Sequence, residues 1–280
     1  MSKVMLSIGH GYSAGALGRA LLADGWTVYG TTRSADKAVS LRAQGITPIV
    51  WPDTDLAPFI AKASHVLTSV SPTTDGDSVL DAHGDDLRGG DFEWVGYLST
   101  TGVYGDHGGG WVDEDTPLTP TTKRGEMRRD AEAAWTALGL PLHIFRLAGI
   151  YGPGRGPFAK VRSGTARRII KKDQVFSRIH VDDIAQVLIA SIAAPRAGAV
   201  YNLCDDDPAP PEDVIGYAAQ LLGMPMPEAI DFETADMTPM ARSFYAENKK
   251  VCNDLIKSEL GISLKFPDYR IGLETLLAQS

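Results

Sequence analysis

The sequence predicts an α/β fold in which helices cover both faces of a doubly wound parallel sheet, followed by a small C-terminal lobe. Seven short apolar runs alternate with helical patterns along the chain. They are dense in Val, Ile, Leu and aromatic residues rather than alternating with polar ones, which is typical of parallel strands covered on both faces. The predicted strands are residues 4–9, 27–32, 47–51, 65–71, 94–100, 142–150 and 199–205.

Helices are predicted in the segments between these strands. In the first segment, Leu17, Leu21 and Leu22 share one helical face, and Gly25 is suited to end the helix. A second helix is predicted to begin after Ser34 as its N-cap and to close at Gly45. Repeated strand–helix–strand units with short links indicate one sheet wound in both directions.

Composition excludes several classes of function. The 280 residues carry a formal net charge of −8, which argues against non-specific nucleic-acid binding because that requires a broad basic surface. The N-terminal stretch reaches glycines before it builds a signal-peptide core, and no run approaches the roughly 18 to 20 apolar residues of a membrane span. Cys204 and Cys252 fit unpaired thiols in a reducing cytosol better than a disulfide. We therefore predict a cytoplasmic protein with no membrane or nucleic-acid partner.

The first strand runs directly into a glycine-rich turn and then into a helix. The turn matches G-x-G-x-x-[G/A] through Gly9-His10-Gly11-Tyr12-Ser13-Ala14-Gly15. Gly9 permits the tight turn, Gly11 lets the backbone approach a pyrophosphate, and Ala14 or Gly15 allows close helix–strand packing. The helix N-terminus offers unpaired N–H groups to the phosphates. In this context the motif predicts a Rossmann-type dinucleotide site with contacts from Gly9, Gly11, Tyr12, Ser13 and Ala14; the alternative is a glycine turn without a ligand.

The end of the second strand indicates which dinucleotide is bound. Chains that bind NAD place an acidic residue about 20 residues after the glycines, where it accepts hydrogen bonds from the ribose 2′-hydroxyl. Here Thr32, Arg33 and Ser34 occupy that point, without an acid. Arg33 presents a planar cation suited to a 2′-phosphate, and Ser34 is suited to donate a further hydrogen bond. We predict that NADP is preferred and NAD is the weaker ligand; a solvent-facing Arg33 is the alternative.

Two further features organise the chain around this site. Ser69, Val70 and Ser71 end the fourth strand, where parallel-sheet proteins contact ligands across the carboxyl edge, although a simple strand terminus before Pro72 is the alternative. The strand pattern loosens after Tyr151 in segments that are richer in Pro, Gly and charge. We predict a dinucleotide-binding core in residues 1–150, to which the strand near 199–205 returns, and a mainly substrate-binding lobe with C-terminal helices in residues 151–280.

Several segments in a fixed order carry a family resemblance. They are GHGYSAGALG, LSTTGVYG (98–105), WVDEDTP (111–117), FRLAGIYGPGR (145–155), RIHVDDIA (178–185), VYNLCDDDP (200–208) and the C-terminal KSELGISLKFPDYRIGLETLL. With them the chain resembles, over nearly its whole length, the extended or atypical short-chain dehydrogenase/reductase superfamily, which includes the NAD-dependent epimerase/dehydratases. These motifs are specific for a fold and much less specific for a substrate.

The resemblance implies a Ser or Thr at the end of the fifth strand and a Tyr-x-x-x-Lys helix as the acid/base machinery. Thr100 matches the Ser/Thr position. If Glu132 matches the glutamate that commonly follows the Tyr-x-x-x-Lys start, Arg124 falls on the Tyr and Arg128 on the Lys. Arg128 is still suited to contact the ribose. Arg124 is not a proton donor, because a guanidinium stays charged at any relevant pH.

Three hypotheses address this substitution. In the first, Tyr104, Tyr151 or Thr100 transfers the proton near the expected nicotinamide, although Tyr104 in its VYG turn is also suited to pack. In the second, Arg124 and Arg128 bind an anionic substrate and stabilise developing negative charge. In the third, the protein binds NADP without turning it over, as a redox sensor or scaffold.

The predicted lobe contributes candidate substrate contacts. Arg155, Phe158 and Arg178 suit an anionic or nucleotide-linked ligand, although each residue type is common in packing or on surfaces. His180 with Asp182 and Asp183 offers too few ligands for a metal, and the aspartates are natural helix caps, so no metal site is predicted.

Together these observations predict an NAD(P)-binding oxidoreductase or epimerase/dehydratase-like enzyme that acts on a small carbonyl or hydroxyl compound or a nucleotide sugar, with NADP preferred. The alternative is a non-catalytic NADP-binding redox sensor or scaffold. The apolar face formed by Ala133, Ala134, Trp135 and Leu138 is suited either to pair with a second copy in a homodimer or to pack within one chain.

Overall fold

A computed structural model describes residues 3–279 of the chain. Seven strands form its main sheet, and each lies in a run that the sequence predicts as a strand. They are β1 (Val4–Ile8), β2 (Thr27–Thr32), β3 (Thr47–Val50), β4 (His65–Thr68), β5 (Trp94–Thr100), β7 (Leu142–Leu147) and β11 (Val200–Leu203). The remaining strands pair in three small sheets: β6 (Trp111–Val112) with β13 (Lys250–Val251), β8 (Gly149–Tyr151) with β10 (Arg178–His180), and β9 (Arg168–Ile170) with β12 (Ala229–Asp231).

The main sheet is parallel throughout and has the spatial order β11-β7-β5-β4-β1-β2-β3. From β1 the chain builds outward to β3, and from β4 it builds outward in the opposite direction to β11. This reversal between β1 and β4 opens a crevice beyond the carboxyl ends of the two strands. The predicted α/β fold with a Rossmann-type doubly wound parallel sheet is confirmed.

Helices flank the sheet and build the C-terminal half of the chain. They are α1 (Tyr12–Ala23), α2 (Ala35–Ala43), α3 (Ala57–Ile60), α4 (Ser78–Arg88), α5 (Lys123–Thr136), α6 (Phe158–Arg162), α7 (Val181–Ala193), α8 (Pro211–Leu221), α9 (Pro239–Phe244), α10 (Asp254–Leu260) and α11 (Tyr269–Ala278), with a 3-10 helix over Thr101–Tyr104. The Ser34 hydroxyl caps α2 by accepting a hydrogen bond from the Lys37 N–H. None of the helices within residues 3–279 is long and apolar enough to cross a membrane.

The two faces of the sheet carry separate apolar cores. Met5 and Leu6 are neighbours in β1, yet Met5 packs with α1 and α7 on one face and Leu6 packs with α4 and α5 on the other. This double burial explains why the strands are continuously apolar. Trp135, on the apolar face of α5, lies within the second of these cores and donates a hydrogen bond from its indole N–H to Asp77.

The chain leaves the main sheet earlier than the sequence predicts. The run over residues 142–150 is not one strand, because β7 ends at Leu147 and β8 belongs to a different sheet. The backbone N–H of Ala148 still donates to Leu203 in β11, but that of Gly149 donates to Ser177, one residue before β10. Apolar periodicity is the same in both strands, so it does not mark the point where the hydrogen-bonding partner changes.

Residues that follow the end of β7 form a further apolar cluster away from the main sheet. Tyr151, Phe158 and Val161 pack there against residues of α8 and α11. This cluster lies within the predicted C-terminal lobe, whose boundary and substrate-binding role stay predictions. Both cysteines are free, with Cys204 buried.

A buried histidine sets the distance between α1 and the sheet. The His10 ring is 2% exposed, and its Nδ1 atom lies 2.9 Å from the Ser7 hydroxyl. A Cβ atom added at Gly18 would lie 2.8 Å from the ring, and one added at Gly30 would lie 2.9 Å from it. Small residues in α1 and β2 therefore make room for His10, and burial lowers the pKa of this histidine to about 4.

We predict that Gly18→Ala is less stable than Gly84→Ala by about 1–3 kcal/mol, the usual cost of overpacking. Both substitutions replace a helical glycine and gain similar helix propensity. An alanine at Gly84 has open space, whereas one at Gly18 displaces the His10 ring. Urea unfolding followed by circular dichroism measures the difference, and equal stabilities would show that His10 moves aside freely.

Candidate functional site

A cavity of about 720 Å³ occupies the carboxyl edge of the main sheet. It lies where the sheet order reverses between β1 and β4, the usual ligand position in open parallel sheets. Residues from the glycine turn after β1, from α5 and from the C-terminal half of the chain all line it. Those that the sequence predicts as site residues are Gly9, Gly11, Tyr12, Ser13, Ser69, Ser71, Thr100, Arg124, Arg128, Arg155 and Arg178.

The glycine turn is held between β2 and the end of β4. Gly9 has a φ angle of +79°, which favours glycine, and its N–H donates to the Thr31 hydroxyl at 2.7 Å. The Ser69 hydroxyl donates to the Gly9 carbonyl. A Cβ atom at Gly9 would lie 3.0 Å from the Val70 side chain and 3.1 Å from the Val70 backbone nitrogen. This close approach fixes the turn against the edge of the cavity.

The N-terminus of α1 opens onto the cavity. Gly11 is the N-cap, and no side chain caps the helix there. Gly11, Tyr12 and Ser13 line the cavity, while Ala14 is buried in the core against the sheet. The first N–H groups of a helix have no partner within the helix, and its dipole favours negative charge at this end. The local geometry therefore suits a phosphate group.

Residues at the end of β2 lie outside the lining of this cavity. Thr32 is buried, and its hydroxyl accepts a hydrogen bond from the Ser34 N–H at 3.3 Å. The Ser34 hydroxyl accepts from the Lys37 N–H at 3.3 Å as the cap of α2. Arg33 is exposed at the carboxyl end of β2, next to the strand that carries the glycine turn. Its side chain is open to solvent and to any ligand that extends past the turn.

Arg128, on α5, joins the ends of two strands. Its Nη1 atom donates to the carbonyl oxygens of Val70 at 3.3 Å and Leu98 at 3.0 Å, and to the Tyr97 hydroxyl at 3.1 Å. Its Nη2 atom donates to the Ser71 hydroxyl at 3.1 Å. The Val70 side chain packs into the core and does not line the cavity. Arg128 thus holds the β4 and β5 ends together beside the cavity.

Arg124 lies one turn earlier on the same helix and is arranged differently. It is exposed, lines the cavity, and lies over the ring of Phe244 in α9, with 4.6 Å from its Cζ atom to the ring centroid. The following residue, Gly125, is in close contact with the 3-10 helix, because a Cβ atom there would lie 2.7 Å from the Gly102 carbonyl oxygen. The Gly102 N–H in turn donates to the Thr100 hydroxyl at 3.2 Å. Arg124 therefore projects from backbone that packs directly beside Thr100.

A buried polar network fixes α5 against the sheet. Glu132 forms an ion pair with Arg146 of β7 at 2.9 Å, and their side chains are 5% and 6% exposed. Glu132 also accepts a hydrogen bond from the Ser99 hydroxyl in β5. Arg146 continues to the Tyr104 hydroxyl at 2.9 Å, which donates to the Asn202 side chain at 2.7 Å. One network therefore connects α5, β5, β7 and β11.

This network argues against the predicted proton-transfer role of Tyr104. Its side chain is fully buried, it does not line the cavity, and its hydroxyl is engaged by Arg146 and Asn202. Burial raises the pKa of Tyr104 to about 12, although the Arg146 charge partly opposes this shift. The VYG sequence is compatible with either a packed or an exposed Tyr104 ring. The position of Arg146 in the fold shows that the ring is packed.

The predicted substrate residues have three different environments. Arg155 is exposed and lies over the Tyr12 ring with 5.7 Å to its centroid. Arg178 donates from Nη1 to the carbonyl oxygens of Phe176 at 2.7 Å and Ala209 at 3.0 Å, and burial lowers its pKa. Phe158 is 9% exposed, packs in the core of the C-terminal half and does not line the cavity, which argues against a ligand contact.

The cavity also contains side chains that sequence analysis missed. Phe244, Glu247 and Lys249 come from a C-terminal segment without a recognisable motif. Lys249 donates from Nζ to the Gly105 carbonyl oxygen at 2.7 Å and pairs with Glu247 at 2.8 Å. Only the tertiary fold brings this segment to the cavity, although its aromatic and charged composition was a weak signal.

Asp205 is a buried carboxylate close to the Arg178 side of the site. It is 1% exposed, and within residues 3–279 neither of its carboxylate oxygens has a hydrogen-bond partner. Burial raises its pKa to about 8, and the positive charge of Arg178 partly opposes that shift. Tyr151 lines the cavity nearby, and burial together with the Asp205 charge raises the pKa of its hydroxyl.

The lining of the cavity is basic although the chain as a whole is acidic. Among the described residues, its charged members are Arg124, Arg128, Arg155, Arg178, Lys249 and Glu247. Five cations therefore face one carboxylate in a protein with a formal net charge of −8. Such a concentration of positive charge in a crevice attracts anionic ligands.

We predict that Glu132→Gln lowers the free energy of unfolding by about 3–5 kcal/mol, because it leaves the buried Arg146 charge without its partner. Glu126→Gln, an exposed change in the first turn of the same helix, is the matched control and is expected to cost about 1 kcal/mol or less. Urea denaturation measures both variants. A loss for Glu132→Gln no larger than that of the control would show that the ion pair does not anchor α5.

Comparison with known proteins finds several that are similar to this chain in sequence or in structure. No family model matches the sequence. Protein YeeZ of Escherichia coli K12 is 26% identical over 284 residues, which cover 96% of this chain and 97% of YeeZ. A provisionally assigned NAD-dependent epimerase/dehydratase from Methylobacillus flagellatus is 28% identical with a TM-score of 0.74, over 99% of this chain and 98% of that one.

Two more solved structures are similar to this chain. MoeE5, in complex with UDP-glucose and NAD, shares the fold with a TM-score of 0.78 at 19% identity, over 99% of this chain and 98% of that one. A functionally unknown conserved protein from Silicibacter pomeroyi DSS has a TM-score of 0.95 and 58% identity over 99% of both chains. The structural neighbours thus include a provisionally assigned NAD-dependent epimerase/dehydratase and a protein that binds UDP-glucose and NAD, and this chain belongs to the same protein family as the conserved Silicibacter pomeroyi protein.

Proposed function

We propose that the protein is an NAD(P)-dependent oxidoreductase or epimerase/dehydratase-like enzyme of the short-chain dehydrogenase/reductase type, with NADP preferred. Its substrate is a small carbonyl or hydroxyl compound or a nucleotide-linked sugar, and it is anionic. One observation carries this proposal: the glycine turn, the open N-terminus of α1 and Thr100 share a single cavity whose lining is basic. The named neighbours support a nicotinamide dinucleotide as the cofactor.

The residues present fit such a cofactor. Gly9 makes the tight turn and Gly11 leaves the backbone free to approach the pyrophosphate, while the N–H groups of Tyr12 and Ser13 at the start of α1 are suited to bind it. Ser69 and Ser71 line the path from this turn toward Thr100. Arg155 lies over the Tyr12 ring and adds a cation at the same end of the cavity.

NADP preference depends on the exposed Arg33. Its guanidinium follows β2 at the position where NAD-binding chains carry an acid, and it is suited to a bidentate contact with a 2′-phosphate. The proposed preference for NADP differs from the NAD named in MoeE5 and the Methylobacillus flagellatus protein. The proposed preference for NADP over NAD therefore depends on the Arg33 side chain.

At the other end of the cavity, the residues divide into positioning and binding groups. When bound, a nicotinamide dinucleotide supplies or accepts a hydride at the substrate carbon. Arg128 positions this end by holding Val70, Ser71 and Leu98 in place. Thr100, in the cavity lining, is suited to orient the substrate hydroxyl or carbonyl.

A non-catalytic NADP-binding sensor or scaffold is the second candidate. Two observations favour it: Arg124 lines the cavity with a side chain that does not donate protons, and Tyr104 is buried away from it. Turnover distinguishes the candidates. An enzyme consumes NADPH with a carbonyl substrate, whereas a sensor binds the dinucleotide and leaves it unchanged.

We predict that NADP(H) binds at least ~10-fold more tightly than NAD(H), a difference of about 1.4 kcal/mol, and that Arg33→Ala removes this preference. The reason is loss of the cation that contacts the 2′-phosphate. Isothermal titration calorimetry with both dinucleotides measures the two affinities in the wild-type protein and in the variant. Arg42→Ala, which removes an exposed arginine from the last turn of α2, is the control and should keep the preference. Equal binding of both dinucleotides to the wild-type protein would contradict the assignment.

A further inference from the structure

The basic side chains around the cavity differ in how many of their donors are already used. Arg128 and Arg178 donate to backbone carbonyl oxygens, and Lys249 donates to a carbonyl and to Glu247. Arg124 is different: among residues 3–279, no group forms a hydrogen bond or ion pair with its guanidinium. Within that range its cation–π contact is with the Phe244 ring. The donors of Arg124 are therefore available to a ligand.

Arg124 also stands at a position where helix physics disfavours a cation. Thr122 is the N-cap of α5, so Lys123 and Arg124 are the first two helical residues. The N-terminus of a helix carries partial positive charge, which repels cations. An anion bound at Arg124 reverses this effect, since both the guanidinium and the helix N-terminus attract it. A local preference that the sequence violates is typical of a functional position.

The position is adjacent to the expected reaction centre. Gly125 touches the 3-10 helix at Gly102, whose N–H donates to Thr100. Both Arg124 and Thr100 line the same cavity. A substrate that fills this cavity can therefore contact both Arg124 and Thr100.

The aromatic platform beneath Arg124 favours a planar anion. A guanidinium that lies against an aromatic ring keeps its N–H donors in the plane of the fork, at the outer edge. A carboxylate accepts two parallel hydrogen bonds from such an edge and extends the same plane. Phe244 is 50% exposed and belongs to α9, which has no buried residue, so solvent and ligand reach the platform from outside.

We propose that Arg124, supported by Phe244, binds a carboxylate of the substrate, so that the substrate is a carboxylic acid. This inference rests on the proposed dinucleotide-dependent function and adds the substrate class to it. Arg124 is a binding residue in this account, and Phe244 positions it.

Titration of the NADP⁺-loaded protein with oxamate, the amide analogue of a 2-oxo acid, tests the proposal by calorimetry. We expect saturable binding that Arg124→Ala weakens at least ~10-fold. Arg124→Lys is expected to weaken it as well, because an ammonium lacks the planar fork. Phe244→Ala should weaken it by removing the platform. Arg129→Ala is the matched control on α5, since Arg129 is paired with Asp130, and should retain wild-type affinity.

Each variant is also titrated with NADP⁺, which is expected to bind with unchanged affinity and so reports intact folding. Oxamate affinity that is equal in Arg124→Ala and wild type, or no saturable binding at about 10 mM, overturns the inference while the cofactor function stands. If the binding of inorganic phosphate depends on Arg124 and the binding of oxamate does not, the inference is also overturned, in favour of a phosphorylated substrate. If NADP⁺ itself fails to bind the wild-type protein, the proposed function fails, and oxamate titration of the protein alone still decides the role of Arg124.

Discussion

The buried ion pair between Glu132 and Arg146 is the contact on which the geometry of the site depends. It fixes the middle of α5 to β7, and through Ser99 to β5, in a region that excludes water. Arg128 and Arg124 lie one and two turns earlier on that helix, so their directions follow from where Glu132 is held. A buried pair of this kind contributes orientation more clearly than net stability, because desolvation offsets much of the attraction.

The distribution of charge explains how an acidic protein can present an anion site. Five cations line the cavity at the carboxyl edge of the sheet, and the arginines in and behind this lining have separate tasks. Arg128 and Arg146 use their donors to join strands and helices, whereas Arg124 and Arg155 lie over aromatic rings and have no hydrogen-bond or ion-pair partner within residues 3–279. Arg128 and Arg146 hold the crevice in place before a ligand binds. Because a preorganised crevice loses less entropy on binding, this favours ligand contacts by Arg124 and Arg155.

Sequence alone predicted the sheet and the glycine turn because both depend on local patterns. Continuous apolar runs mark doubly covered strands, and the Gly9–Gly11 spacing marks the turn between β1 and α1. The break at Ala148, the burial of Tyr104 and the arrival of Phe244 and Lys249 depend on contacts between distant segments. Nothing in the VYG sequence reveals that Arg146 fills the space around the Tyr104 hydroxyl. Arg124 was recognised as a departure from the family pattern, but its partner Phe244 lies 120 residues away in the chain.

The central claim is that a nicotinamide dinucleotide lies along this cavity from the glycine turn to Thr100. A crystal structure of the protein with NADPH tests it most directly. The account predicts the pyrophosphate at the N–H groups of Tyr12 and Ser13, the 2′-phosphate within hydrogen-bond distance of Arg33, and the nicotinamide beside Thr100. A dinucleotide bound away from the glycine turn, or a 2′-phosphate that points away from Arg33 into solvent, would contradict it.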